Sequence, residues 1–425
     1  MVDTSADADR ERGPVWATWF FLWLAIYFGP AGAVQAPQPI VLTLERAEAI
    51  VRSRNLELQA VRYTIRAAEG RARQYTVMPN PEVETEIFFT EEKTLRILQP
   101  LRWPGQTRIL QALGSYDTAS ARADYHRRQL DIIHAVRLQW ITVLTLQERL
   151  AILARSQQIA EEMLRNARMR YARGFGNRQE VALANIEVGR VRARIERLQA
   201  QHATQVRLLQ QMLQLDRPIR IEDRLDTLIE WTPPPHTDVA AIVRRHPLVV
   251  QAQMRASYWS TRRDWERTLR RPKIAVGPSI GLFEGGRLSP GIAFAVTIPV
   301  WDTRQGRISE AEAQRQFYVR LLEARMTLLR HRLEAFCEQY ARLRSNLETY
   351  RTTVLDRTEQ LVHHTRAGYR AGQIPFLTYI EAVRTWVDTR LEYLEMLHEL
   401  ARTVMDIRYI TDAAREQFHD TVQIP

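Results

Sequence analysis

Two long stretches without proline, both with helical periodicity, most constrain how this 425-residue chain can fold. They run from 106 to 173 and from 306 to 371, and in both the apolar residues recur at steps of three and four. A helix of this length extends about 100 Å, since each residue adds about 1.5 Å along the axis. An average globular helix has only about 11–12 residues. The two stretches therefore predict coiled-coil-like packing of long helices rather than a compact globule.

Each long stretch ends in the same short turn motif. The matching residues are Arg168, Tyr171 and Gly174 in the first turn and Arg366, Tyr369 and Gly372 in the second. Glycine adopts the left-handed backbone conformation at no steric cost, so we expect both glycines just past the end of the preceding helix. Three residue types that recur at the same offsets, between two helical stretches in both cases, indicate a duplicated unit.

The duplication extends beyond the turns and divides the chain into two tandem repeats. We place the first repeat at 43–215 and the second at 238–412, with a linker at 216–237 between them and a tail at 413–425. Each repeat is predicted to contain a helix, a hairpin, a very long helix, the turn and a further helix.

The N-terminal residues predict export from the cytoplasm. Basic residues precede an uncharged apolar run from Val15 to Phe28, and small residues follow it. This order is typical of a secretory signal peptide, which we place at 1–33, with a linker at 34–42. An uncleaved N-terminal anchor is the alternative. No other stretch is long and apolar enough for a membrane helix, so a membrane-embedded chain of this kind would span by strands.

In two segments the periodicity changes from 3.6 to 2, which predicts β-hairpins at about 82–101 and 273–300. Apolar residues alternate there with glutamates in the first hairpin and with small residues in the second. Strands of ~9–11 residues with one apolar face have the size that crosses an outer membrane. Trp103 and Trp301 lie just past strand ends, where aromatic residues mark the membrane interface. The alternative is a soluble sheet with both tryptophans in its core.

The four predicted strands leave open sheet edges. Four strands cannot close a barrel, and open strand edges are not tolerated in lipid. The membrane interpretation therefore requires further copies of the chain to complete a barrel. Two copies would supply eight strands and three would supply twelve, so this argument leaves the number of copies open.

The charge and motif content excludes several function classes. The formal net charge is +11, but Lys93 and Lys273 are the only lysines, and the arginines are spread among carboxylates rather than gathered in one stripe. We therefore expect no nucleic-acid partner. No zincin histidine pair, phosphate loop or serine elbow occurs, and Cys337 has no catalytic setting, so we expect neither an enzyme nor a cofactor. His363 and His364 form a lone pair, and no metal site is predicted.

With these elements in place, the chain resembles the TolC-type outer membrane efflux family over residues 43 to 412. The duplicated layout, the proline-flanked hairpins and the two Tyr-x-x-Gly turns carry the resemblance. Segments 99–106 and 299–306 are in addition similar to the heavy-metal, CzcC-like branch. The resemblance implies a mainly α fold with a transmembrane β part. Two tandem repeats would give four strands to an oligomeric β-barrel and helices to a long coiled-coil-like α-helical barrel.

The resemblance also implies a function and partners. The chain would be a homotrimer in the cell outer membrane, in contact with its lipid and extending into the periplasm. It would serve as the passive export duct of a tripartite system, for metal cations or small toxic compounds. A periplasmic adaptor and an inner-membrane pump, for which the RND type is one candidate, would be its partners. A periplasmic coiled-coil scaffold or adaptor without a pore is the alternative, but it leaves the alternating hairpins unexplained.

In the family the two turns lie at the periplasmic tip, where they contact the adaptor, and acidic residues after the second turn ring the closed entrance. The two acidic positions correspond here to Thr378 and Glu381, so only one of them is acidic. Glu180 follows the first turn at the offset of Thr378. We expect Glu381 to be the gate carboxylate, with three copies that favour cations and respond to pH by mutual repulsion. The alternative is a solvent-facing glutamate.

Overall fold

A computed structural model describes residues 39–415 except 88–92, 232, 234–237 and 284. The predicted signal peptide, most of the first linker, the tip of the first hairpin and the end of the tail lie outside the described residues. Within the described part of the chain, no helix combines the length and the apolar content that a membrane span needs.

β1 (Ile40–Leu42) lies in the first linker, and the first repeat that follows has the predicted order of elements. They are α1 (Leu44–Arg54), α2 (Leu56–Thr76), β2 (Glu82–Ile87), β3 (Lys93–Leu101), α3 (Gln106–Ala172) and α4 (Arg178–Leu213). Thr43 caps α1 through the Arg46 N–H, and Asn55 ends α1 and caps α2. Because α3 has 67 residues, it is about 100 Å long.

The second repeat follows the same plan with one interruption. The linker before it contains β4 (Ile219–Ile221) and α5 (Leu225–Leu228). The elements of the second repeat are α6 (Val239–Arg245), α7 (Pro247–Thr268), β5 (Lys273–Phe283), β6 (Arg287–Thr297), α8 (Gln305–Tyr350), α9 (Asp356–Arg370) and α10 (Phe376–Arg415). A π-helical turn, Arg351–Leu355, separates α8 from α9, so the expectation of one regular helix from 306 to 371 is wrong here. The hydroxyls of Thr352 and Thr353 donate to carbonyls one turn earlier, a local competition that bends helices.

The two predicted linkers contain a small sheet that the sequence did not indicate. β1 pairs in parallel with β4, with Ile40 opposite Ile219 and Leu42 opposite Ile221. Strands of three residues are too short to show a period, so only their pairing across the chain reveals them. Leu42 and Ile221 are buried in the main core.

The two hairpins form one antiparallel sheet in the order β2-β3-β5-β6. The central pair, β3 and β5, joins the repeats, with Leu95 opposite Ile280. The outer strands β2 and β6 have one neighbour each in this sheet. Gly277 is required at the junction, because a Cβ there would lie 1.7 Å from the Ile97 carbonyl oxygen.

The sheet has one apolar and one polar face, as the alternation predicts. The apolar face is exposed, and Phe294 on the outer strand β6 is 73% exposed. On the polar face Arg96 donates to both carboxylate oxygens of Glu86, at 2.7 and 2.8 Å. An exposed apolar face of this extent indicates a surface that lipid or another molecule covers.

The helices pack side by side along α3. α2 and α7 lie against the part of α3 that follows the sheet, whereas α4 and α10 lie along the part that leads to the first turn. The main core surrounds Trp140, and smaller clusters continue around Trp386 and Tyr369. The two turns therefore lie at the end of the molecule opposite the sheet.

A buried ion-pair network joins the repeats near Trp140. Arg137 Nε donates to Glu48 Oε1 at 2.6 Å, and Arg137 Nη2 lies 2.8 Å from Asp412 Oδ2. The Arg137 side chain is only 3% exposed. Burial by itself would raise the pKa of Glu48, but the hydrogen bond and charge of Arg137 outweigh it, so this pKa lies below its usual value. The network ties α1 and α10 to α3.

Candidate functional site at the helical tip

The two turns at the far end of the long helices have matching backbones. Gly174 and Gly372 have φ angles of 77° and 76°, in the left-handed region that favours glycine. In the first turn the Phe175 N–H donates to the Arg170 carbonyl at 2.9 Å, and the second turn has the equivalent bond at the same distance. These bonds define a Schellman ending, so the expected position of both glycines past the helix ends is confirmed.

The two turn tyrosines lie in different environments. Tyr171 is 52% exposed, whereas Tyr369 is 1% exposed and packs against the rings of Phe376 and Tyr379. Tyr369 donates its hydroxyl to Glu180 Oε2 at 3.2 Å. Burial, followed by the nearby charge of Glu180, raises the pKa of Tyr369 to about 12. The hydroxyl therefore stays protonated at neutral pH and links the second turn to the first repeat.

Arg170 connects the two turns directly. Its Nη1 donates to the Tyr369 carbonyl oxygen at 3.0 Å, and its Nη2 donates to the Phe175 carbonyl oxygen at 3.3 Å. The guanidinium lies 5.0 Å from the centre of the Tyr369 ring, within cation–π distance. Arg170 thus bridges the C-terminal ends of α3 and α9, where the helix dipole favours a cation.

Glu162 forms a charged link between the same two helices. It pairs with Arg366 and Arg370, which stand four residues apart on α9. The hydrogen bond from Arg366 lowers the pKa of Glu162 against the raising effect of partial burial. Glu187 on α4 pairs in the same way with Arg384 on α10. These contacts hold the ends of the first and second repeats together within one chain.

The residues predicted to form the gate do not lie in one cluster of this chain. Thr378 and Glu381 are exposed at the start of α10, and Glu381 has no ion pair among the described residues. The pKa of Arg384 is raised chiefly by its hydrogen bond to Glu187, with a further contribution from the Glu381 charge. Glu180 is half-buried and accepts the Tyr369 hydroxyl. Glu180 is thus a contact between the repeats, while a gate role for Glu381 stays a prediction.

The other predicted site residues differ between the repeats. Arg168 is exposed, whereas its counterpart Arg366 is ion-paired. Trp103 is partly buried and donates its Nε1–H to the Pro272 carbonyl oxygen at 2.7 Å. Trp301 is 89% exposed. A membrane-interface position for the two tryptophans and an adaptor contact for the turn residues stay predictions.

Sequence reasoning missed the ion pairs of the tip. The spacing of Arg366 and Arg370 places them on one helix face and is a signal for a shared carboxylate. That carboxylate, Glu162, lies 204 residues before Arg366, so only the register of α3 against α9 identifies it. The described residues contain no group of three or more histidine, cysteine, aspartate or glutamate side chains that could hold a metal ion.

Comparison with known proteins identifies one curated relative. The chain is 26% identical over 387 residues to the cobalt-zinc-cadmium resistance protein CzcC of Cupriavidus metallidurans, which covers 86% of this chain and 89% of that protein. No protein-family model matches the chain.

Solved structures have the same fold. A membrane protein from Pseudomonas aeruginosa matches with a TM-score of 0.70 at 17% identity, over 90% of this chain and 95% of that chain. The outer membrane channel MtrE of Neisseria gonorrhoeae, in its open state, also matches with a TM-score of 0.70, at 15% identity over 87% and 88% of the two chains. The relative and the shared fold together confirm the predicted resemblance to the TolC-type outer membrane efflux family.

Proposed function

We propose that this protein is the outer membrane channel of a tripartite efflux system, a passive duct that crosses the outer membrane and extends into the periplasm. The observation that carries the proposal is the open four-stranded sheet, with an exposed apolar face and two outer strands that have one neighbour each. Lipid would cover the apolar face, and other copies of the chain would pair with β2 and β6. Helices of about 100 Å would extend the duct to the tip.

We propose that three copies close the channel, as the family resemblance implies. The helical part has the same open arrangement as the sheet, since α4 packs chiefly on α3 and α9 packs chiefly on α10. One set of neighbouring copies would therefore complete both parts. Three copies would give twelve strands in the membrane and a closed ring of helices below it.

The proposed function extends to the exported substrate and the partners. The relative CzcC is named a cobalt-zinc-cadmium resistance protein. We therefore propose divalent transition-metal cations as the substrate, with small toxic compounds as the alternative class. A periplasmic adaptor and an inner-membrane pump of the RND type would be the partners, and the pump would supply the energy.

The proposed function has a direct test. Protein solubilised in detergent should sediment as a trimer, and it should form pores when added to planar lipid bilayers. The expected result is a discrete conductance step for each inserted trimer. A monomer that stays in solution without detergent and forms no pores would overturn the proposal and would favour the coiled-coil scaffold.

We propose Glu381 as the gate carboxylate, with Thr378 beside it at the entrance. Glu381→Ala should raise the leak conductance in planar bilayers, because the shorter side chain widens the constriction. It should also reduce the preference for cations in the reversal potential, since a ring of carboxylates attracts them. The matched control Glu381→Gln keeps the size and should lose only the cation preference. Unchanged conductance in Glu381→Ala would exclude the gate but not the channel.

The Glu162 link to Arg366 predicts a pH dependence of the channel. A carboxylate with a lowered pKa stabilises the folded tip at neutral pH, and this contribution is lost as the pH falls through that pKa. Conductance should therefore rise on acidification below the ordinary glutamate pKa of about 4.3. Glu162→Gln should raise the conductance already at pH 7, and its conductance should not rise further on acidification.

The control for Glu162 is Glu323→Gln, which removes the carboxylate from an exposed pair with Arg320. It should change neither the conductance at pH 7 nor the rise in conductance on acidification. A Glu162→Gln channel that conducts like the parent at both pH values would contradict a role of this link in holding the tip.

A further inference from the structure

The first turn is much more basic than the second. Residues 163–179 contain five arginines and no aspartate or glutamate. The five are Arg165, Arg168, Arg170, Arg173 and Arg178. The matching segment of the second turn, 361–377, contains two arginines, Arg366 and Arg370, and Glu162 pairs with both.

Four arginines of the first turn are free to bind a partner. Arg165, Arg168, Arg173 and Arg178 are exposed, and none of them forms an ion pair with another residue that the structure describes. The fifth, Arg170, donates to the Tyr369 carbonyl oxygen of the second turn. A helix end by itself does not account for this excess of cations, because α9 ends in the same backbone turn with only two arginines.

Apolar side chains protrude among these free cations. Phe175 is 77% exposed, and Met169 and Tyr171 are about half exposed. Beside them a groove of about 490 Å³ separates the two turns, with Met169, Arg173 and Phe175 on one wall and Arg370 on the other. Arginine, tyrosine and methionine are enriched where proteins bind one another, and a ring that enters a pocket of the partner supplies much of the binding energy.

We infer that the first turn is the part of the tip that binds the periplasmic adaptor, and that the adaptor surface it binds is acidic, with an apolar pocket for Phe175. Unpaired guanidinium groups favour carboxylates across an interface, because complementary charge steers association and excludes other partners. This inference rests on the proposed function, and it adds which of the two turns binds and the chemistry of the surface that it binds.

Photo-crosslinking from the full-length channel in intact cells tests whether the first turn contacts the adaptor. A benzophenone amino acid replaces Phe175 in one variant and Phe317 in the control, since Phe317 is also exposed but lies on α8. Position 175 should crosslink to an adaptor peptide that contains aspartate or glutamate, and position 317 should not. Crosslinks from position 175 only to lipid, or only to another copy of the channel, would overturn the inference.

The affinity of the channel for the purified adaptor, once the crosslink has identified it, tests whether the arginines of the first turn contribute to binding by their charge. The reversed variant Arg165→Glu/Arg168→Glu/Arg173→Glu should bind more than about tenfold more weakly, because its new carboxylates would face the carboxylates of the adaptor. The control Arg194→Glu/Arg197→Glu/Arg207→Glu reverses three exposed arginines on α4 and should bind like the parent. Affinity of the unmodified channel should also fall with increasing NaCl, whatever the variants do.

The outcomes separate this inference from the proposed function. Normal pores and trimers in the reversed variant, together with parent-like adaptor affinity, would overturn the inference alone. An affinity of the unmodified channel that does not change with NaCl would also overturn it. A parent protein that forms neither trimers nor pores would overturn the proposed function itself.

Discussion

Gly277→Ala should prevent assembly of the strand-built part of the channel. An added Cβ would lie 1.7 Å from the Ile97 carbonyl oxygen and 2.9 Å from the carbonyl carbon. The obstacle is the backbone of β3 and not a side chain that could rotate away, so the β3·β5 pairing would have to open. This pairing joins the two repeats. Without it the sheet becomes two separate hairpins, and an isolated hairpin is only marginally stable.

Trimer content in detergent and pore formation in planar bilayers measure this effect. We expect neither trimers nor pores from Gly277→Ala. The matched control is Gly281→Ala in the same strand, where the nearest atom to the new Cβ belongs to the Phe283 side chain at 3.2 Å. That ring can move, so the control should assemble like the parent. Normal assembly of Gly277→Ala would contradict the close approach of β3 and β5.

Arg137→Met should destabilise the protein by about 3–5 kcal/mol, the usual cost of removing one partner from a buried ion pair. The change removes the two shortest ion-pair contacts of Glu48 and Asp412, which keep only longer ones, such as those to Arg408 at 4.0 and 3.4 Å. Arg137 keeps the pKa of Glu48 below its usual value, so its contribution is fully present at neutral pH. It should decrease as the pH falls through that lowered pKa. Chemical denaturation in detergent at several pH values measures both effects.

Two further variants separate charge from packing. Glu48→Gln/Arg137→Met/Asp412→Asn removes the three most buried charges and should recover most of the lost stability. Arg408, which also pairs with Glu48 and Asp412, is 27% exposed and keeps its contact with water. Arg320→Met breaks an exposed pair with Glu323 and should cost no more than about 1 kcal/mol. If Arg137→Met costs no more than Arg320→Met, the network does not stabilise the fold.

Local signals account for the parts of the fold that the sequence predicts. Gly174 and Gly372 end their helices because the left-handed conformation is a property of the residue itself. The strands were predictable because alternation shows over a few neighbouring residues. The sheet between 40–42 and 219–221 escaped prediction, because three-residue strands carry no period and depend on a partner far along the chain.

The tip shows why a repeated sequence does not predict a repeated site. Tyr171 and Tyr369 occupy the same position of the two repeats, yet only Tyr369 is buried. Its burial comes from Phe376 and Tyr379 at the start of α10, and its hydroxyl contacts Glu180 on α4. These neighbours come from the packing of four helices, which the turn motif does not contain.

The unpaired outer strands also determine how the chain behaves before it has met its neighbours. A copy that has not yet assembled carries the free backbone groups of β2 and β6 beside an exposed apolar face. Such edges pair readily with any other extended chain and lead to aggregation. Assembly and aggregation therefore compete for the same strands during biogenesis. The yield of the assembled protein should depend on the rate of synthesis more than on the stability of a single copy, and slower expression should give more of it.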